Sequence, residues 1–215
     1  MHQLLETLND PAFHLAGAPT SWAELLGFVT GIITVSLAAA GRVSTFAWGM
    51  LNSAFFCVLF VDARLFADAS LQIVFICLGV QGWWAWLRFG PNHTELQTSS
   101  ASPALLLTTA AGVVVAALIL IPILDAAGDS APVLDGTTTA MSLGAQALLN
   151  LRKVQSWYVW IAVDLIYVPL YLSRDLLLTA IVYVVFLGIC VSALRSWRAE
   201  VQGTRPTANT PAVTA

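Results

Sequence analysis

Charge is what this chain has least of. Lys, Arg, Asp and Glu make up 10% of its 215 residues, where a soluble globular domain carries about 25%. Too few residues are available to solvate a surface, which excludes a soluble domain. A formal net charge of −3 and a pI near 5.4 leave no basic footprint for nucleic acid. Cysteine is also sparse: Cys57, Cys77 and Cys190 fall inside apolar runs with no paired or metal-type spacing. They read as small core residues, so neither a disulfide framework nor a metal site is expected. His2, His14 and His93 lie in tails or loops, and no G-x-S-x-G or H-E-x-x-H is present. A membrane enzyme is therefore disfavoured. A G-x-x-x-x-G-K-[ST] loop is missing too, which speaks against an ATP-driven pump, and no cofactor is expected. Residues 1–20 have no basic leader before an apolar stretch, so the first span is expected to stay in the mature protein.

What is present is apolar: 58% of the residues are hydrophobic and the mean hydropathy is +0.80. A hydrocarbon core of about 30 Å needs roughly 20 residues of helix. Suitable runs fall at 22–40, 44–61, 69–87, 104–124, 137–150, 157–172 and 176–195, which predicts seven transmembrane helices. The fifth run is unusual, because it holds Thr137, Thr138, Thr139, Ser142 and Gln146; those groups should face protein or water. Seven spans with the N-terminus outside put Arg42, Arg88, Arg152, Lys153, Arg195, Arg198 and Arg205 on one side. Only Arg64 and Arg174 fall on the other, so the positive-inside rule makes the basic side cytoplasmic. Asp125, Asp129 and Asp135 then lie outside.

Two stretches of the chain repeat at an offset of about 111 residues. Trp48-x-x-x-Asn52 returns as Trp160-x-x-x-Asp164, Glu24 as Asp135, Arg42 as Lys153, Phe75 as Phe186 and Trp86 as Trp197. The fifth run occupies the place of the first in the second copy, which supports counting it as a span. Three spans end on the opposite face, so a second copy in the same orientation needs one crossing first, and 104–124 supplies it. The predicted fold is an all-α integral membrane protein of 3+1+3 parallel repeats related by an axis along the membrane normal. Its parts are an extracytoplasmic segment 1–21, a three-helix bundle 22–88, a linker helix 103–124, a second bundle 134–197 and a cytoplasmic disordered tail 198–215.

Residues 51–88, LNSAFFCVLFVDARLFADASLQIVFICLGVQGWWAWLR, and 157–198, WYVWIAVDLIYVPLYLSRDLLLTAIVYVVFLGICVSALRSWR, resemble the two halves of the PnuC vitamin-transporter family. Phe66-Ala67-Asp68 with Leu71-Gln72, the GWWxW at 82–86 and the WxxWxxxD at 157–164 carry the likeness, which covers roughly 22–198. It implies a bacterial inner-membrane transporter with a fold like the SWEET sugar transporters, carrying nicotinamide riboside by facilitated diffusion. It further implies trapping of the solute by intracellular phosphorylation, and a homotrimer. Relatives carry thiamine, riboflavin or deoxynucleosides, so the resemblance leaves the solute open. Two departures bear on this: Asp164 stands where the family often has Asn, and Gln81 where it often has Tyr.

Asp164 is the sharpest candidate, a carboxylate between Val163 and Leu165 inside an apolar helix, where such groups are costly and by default functional. An acid on the pathway would favour a cationic solute; the alternative is a protonated Asp that locks helices together. Trp157 and Trp160 share its face and would clamp a flat cation, although Trp157 also lies where interfacial belts form. Asn52 and Trp48, on the same register, would line the opposite wall, the amide serving a hydroxyl or carboxamide. Gln72 and Tyr183, matched at 111, are a pair that could bond a sugar or brace each other. Gln146 is a further deep polar group, and Gln81 reads as interfacial. Trp83, Trp84, Trp86 and Trp197 read as belt anchors, while Asp62, Asp68, Asp175, Arg64 and Arg174 read as solvated or capping groups in outer turns. Pro169 could kink its span, but membrane prolines are commonly just tolerated. The expected partners are a small-molecule vitamin, membrane lipid and further copies of the chain, with no nucleic acid.

Overall fold

The computed structural model describes residues 11–15, 18–62, 66–90, 95–129, 131–173 and 176–203. A short antiparallel hairpin, β1 (Pro11–Leu15) and β2 (Ala18–Ser21), precedes seven helices. These are α1 (Trp22–Ala39), α2 (Ser44–Asp62), α3 (Phe66–Arg88), α4 (Pro103–Ala126), α5 (Pro132–Asn150), α6 (Gln155–Ser173) and α7 (Leu177–Val201). The hairpin is an addition to the all-helical expectation. Arg64, Arg174 and Asp175 lie outside the described residues, as do the side chains of Glu24, Asp62 and Asp68.

Five helices, α2, α3, α4, α6 and α7, are long and apolar enough to cross a membrane by length and composition. In α1 the apolar stretch is shorter, Leu25–Ala39. The polar α5 starts five residues ahead of its expected first position, with Pro132 in its first turn and Asp135 near the N-terminal dipole. Small residues explain how it sits. Gly136, Ala140 and Gly144 are buried one turn apart. A Cβ on Gly136 would press into the Ile121 backbone and side chain, and one on Gly144 into Val113. The ridge thus lets α4 approach closely, by the packing that small-xxx-small faces permit. None of the residues of α4 is itself buried, so this helix is held on one side only.

Within the first half α1 packs on α2 and α2 on α3; within the second, α5 packs on α6 and α6 on α7. Among the described residues the principal contacts that join the halves are α1 with α7 and α3 with α5. The ends of α1, α3, α5 and α7 meet at one end of the molecule, here called the basic end. There Trp86 Nε1 donates to Leu149 O at 3.0 Å, and Trp197 Nε1 donates to Ala39 O at 3.1 Å. Each tryptophan closes the last turn of a third helix onto the first helix of the other half. Trp86 and Trp197 are 0% and 2% exposed, so the belt reading is wrong for both. Hydropathy reports depth along a span but not which way a ring faces. Trp83 and Trp84 do remain exposed.

Candidate functional site

One face of α6 carries Trp157, Trp160, Asp164, Tyr167 and Tyr171, spaced three or four apart down the whole helix. The facing stripe of α7 is Tyr183, Cys190 and Trp197, spaced seven apart. Where the stripes meet they form three layers.

The layer at the basic end is aromatic. Trp157 stands edge-on to Trp197 with centroids 5.3 Å apart, Trp86 lies 6.0 Å from Trp197, and Phe46 is edge-on to Trp86 at 5.0 Å. Arg152 places its guanidinium 4.8 Å from the Trp86 ring centroid and 5.9 Å from that of Trp197. Burial pushes this guanidinium below its usual pKa, against the opposing pull of Glu200 and Glu95. Trp157 is 1% exposed and its Nε1 has no hydrogen-bond partner. Trp160, half-buried, packs against the same cluster.

Asp164 occupies the middle layer. It is 4% exposed, with the Cys190 thiol of α7 beside its carboxyl. Oδ2 has no partner at all. A buried polar atom without a partner has given up its solvation with no bond in return, which makes this the costliest oxygen of the stripe.

The third layer is built of tyrosines. Tyr167, Tyr171 and Tyr183 stand with centroids 5.1 to 5.4 Å apart, and Tyr183 meets Phe186 edge-on at 5.5 Å. The Tyr167 and Thr138 hydroxyls are 2.8 Å apart, tying the layer to α5. Tyr183 was expected from the sequence; Tyr167 and Tyr171 were not. Their signal was the continuation of the Trp157–Trp160–Asp164 stripe by steps of three and four.

The remaining expected residues have other surroundings. Asn52 Nδ2 donates to Gly27 O at 3.2 Å and to Thr30 Oγ1 at 2.5 Å, so its amide hydrogens are committed to α1. Trp48 is exposed on α2, and Gln72 is half-buried on α3. Gln146 belongs to a separate polar clasp between the halves. Its Nε2 donates to Asn150 Oδ1 at 2.8 Å, while Asn150 Nδ2 donates to Leu78 O at 2.8 Å and to Gln81 Oε1 at 2.6 Å. Gln81 is thus bonded across an interface as well as exposed. Asn150, fully buried at the centre of the clasp, escaped the sequence reading because it closes a helix at a turn, where Asn commonly caps. Among the described residues no group of three or more His, Cys, Asp or Glu could hold a metal ion.

The family model described as nicotinamide mononucleotide transporter matches residues 21–199. The nicotinamide riboside transporter PnuC of Escherichia coli is 24% identical over 207 residues, covering 84% of this chain and 87% of that one. The riboflavin/roseoflavin transporter RibM of Streptomyces davaonensis is 26% identical over 201 residues, covering 88% of this chain and 91% of that one. In fold, the chain is similar to a crystal structure of the vitamin B3 transporter PnuC, with TM-score 0.67 and 22% identity over 85% of this chain and 83% of that one.

Proposed function

Since the chain belongs to the nicotinamide mononucleotide transporter family, the PnuC family, we propose that it takes up nicotinamide riboside by facilitated diffusion. Phosphorylation inside the cell then traps the solute and feeds NAD biosynthesis. Relatives and fold neighbour alike are named transporters, and the chain is not an enzyme. One observation carries the choice of solute: the buried Asp164 carboxyl with an unpartnered oxygen, set between aromatic layers. A pyridinium ring supplies the missing positive charge and a flat face for Trp160, through stacking and cation–π attraction. Trp157 backs Trp160 from within the cluster, and Tyr183 offers a hydroxyl to the sugar. Asn52, Trp48, Gln72 and Gln146 face the solute from the other helices once the bundles shift and the bonds of Asn52 and Gln146 exchange.

The contacts also support a 3+1+3 parallel repeat of the SWEET kind. Swapping α1 for α5, α2 for α6 and α3 for α7 turns every principal contact among these six helices into another of the set. The Gly27–Phe56 contact has its counterpart in the Thr138–Tyr167 bond, both residues moving by 111. At that register Ser53, not Asn52, corresponds to Asp164, because the Trp48/Trp160 match runs at 112. In this reading the basic end is cytoplasmic, the N-terminus lies outside the bacterial plasma membrane, and the protein works as a homotrimer.

The RibM likeness spans nearly the whole chain, which favours riboflavin as the second reading, and thiamine shares the required positive ring. Competition binding to purified protein separates them. Nicotinamide riboside is expected to displace a bound reporter at the lowest concentration among nicotinamide riboside, thiamine, riboflavin and a deoxynucleoside. Tighter competition by riboflavin would transfer the assignment to it.

A further inference from the structure

Arg152 has a backbone φ of +52°, the one positive φ among non-glycine residues in the described chain. Its counterpart at an offset of 111 is Gly41, whose φ is +67°. Both turns bend between the first and second helices of their halves, and glycine is the residue that such a bend ordinarily selects. An arginine there is strained, so something must hold it.

Its side chain answers that. Nη1 donates to Leu96 O at 2.8 Å and Nε to Thr98 Oγ1 at 3.2 Å, which grips the connector between α3 and α4. The third nitrogen, Nη2, lies against Gly41, where an added Cβ would meet it at 2.8 Å. The guanidinium carbon lies 4.8 Å from the ring centroid of Trp86 in the first half and 5.9 Å from that of Trp197 in the second. Nearby bonds stitch the same connector down: Ser99 N to Arg152 O at 3.2 Å, Val154 N to Ser99 O at 3.1 Å, and Lys153 Nζ to Ser99 Oγ at 2.7 Å. One residue therefore touches both halves and the loop that joins them, all at the basic end.

We propose that Arg152 is the latch of the gate at the basic end: the halves can separate there, opening a path to Asp164, only after the guanidinium leaves Trp86 and Trp197. The inference rests on the chain being a transporter and not on which solute it carries. With the latch set, the tryptophan layer closes one approach to the middle layer and the tyrosine layer closes the other.

Cys190 supplies a native reporter, being buried in the middle layer beside Asp164. In a Cys57→Ser, Cys77→Ser background, an impermeant maleimide is applied to right-side-out and inside-out vesicles. A separate preparation carrying Gln202→Cys identifies the basic face. The unlatched chain is Arg152→Gly, which puts at this turn the residue that Gly41 already provides in the other. Loss of two cation–π contacts is expected to raise Cys190 labelling from the basic face about tenfold, with labelling from the other face unchanged. Arg152→Lys, which keeps the charge without the planar fork, should fall between. Labelling that does not change, or that rises equally from both faces, overturns the latch. Solute binding is measured separately, so failure of the latch is distinct from failure of the nicotinamide riboside assignment.

Discussion

Gly82 shows how one residue reads differently in a sequence and in a fold. Inside the GWWxW of 82–86 it looks like part of a signature, yet its place is explained by packing. A Cβ here would collide with the Phe46 ring and the Asn150 Oδ1 atom, where α3 crosses the clasp. Gly82→Ala is expected to destabilise the protein by about 1–3 kcal/mol, the usual penalty for overpacking, as measured by thermal unfolding in detergent. An unchanged midpoint would mean that the interface yields freely. Asp164 was legible from the sequence for the opposite reason: a lone carboxylate in an apolar run has few bland explanations. Arg152 was legible only as one of the charges on the basic side, because its surroundings depend on a positive φ and on rings contributed by two distant helices.

At the level of elements, the helices themselves were readable. Every expected span falls within a described helix or overruns it by one residue at most, and α5 was found through its place in the repeat despite its polarity. What the sequence withheld was the facing of each helix. Periodicity in α6 exposed three members of its stripe and stopped at Asp164, although Tyr167 and Tyr171 continue it. Nothing local marked Asn150 as the hub between α3 and α5, because its partners on α3 are 69 and 72 residues away. Asn150→Ala would leave the Gln81 oxygen, the Gln146 amide and the Leu78 carbonyl without their present partner. Destabilisation of about 1–3 kcal/mol is expected, exceeding that of Gln146→Ala, which removes one bond. Equal effects of the two substitutions would show that the clasp does not act as a unit.

For the whole molecule, two halves meet through α1–α7 and α3–α5, and a buried acid lies between an arginine–tryptophan layer and a tyrosine layer. In the proposed repeat architecture, rocking of the halves would expose that acid to one side and then the other. A positive ring on the solute is the central claim. It is tested most directly by titrating purified protein with nicotinamide riboside and with its uncharged dihydro form, before and after Asp164→Asn. A charge-assisted contact with a buried carboxylate should make the cation bind about tenfold to a hundredfold more tightly than the neutral form, and Asp164→Asn should erase that preference. Equal affinity for the two forms, or a preference that survives Asp164→Asn, would contradict it.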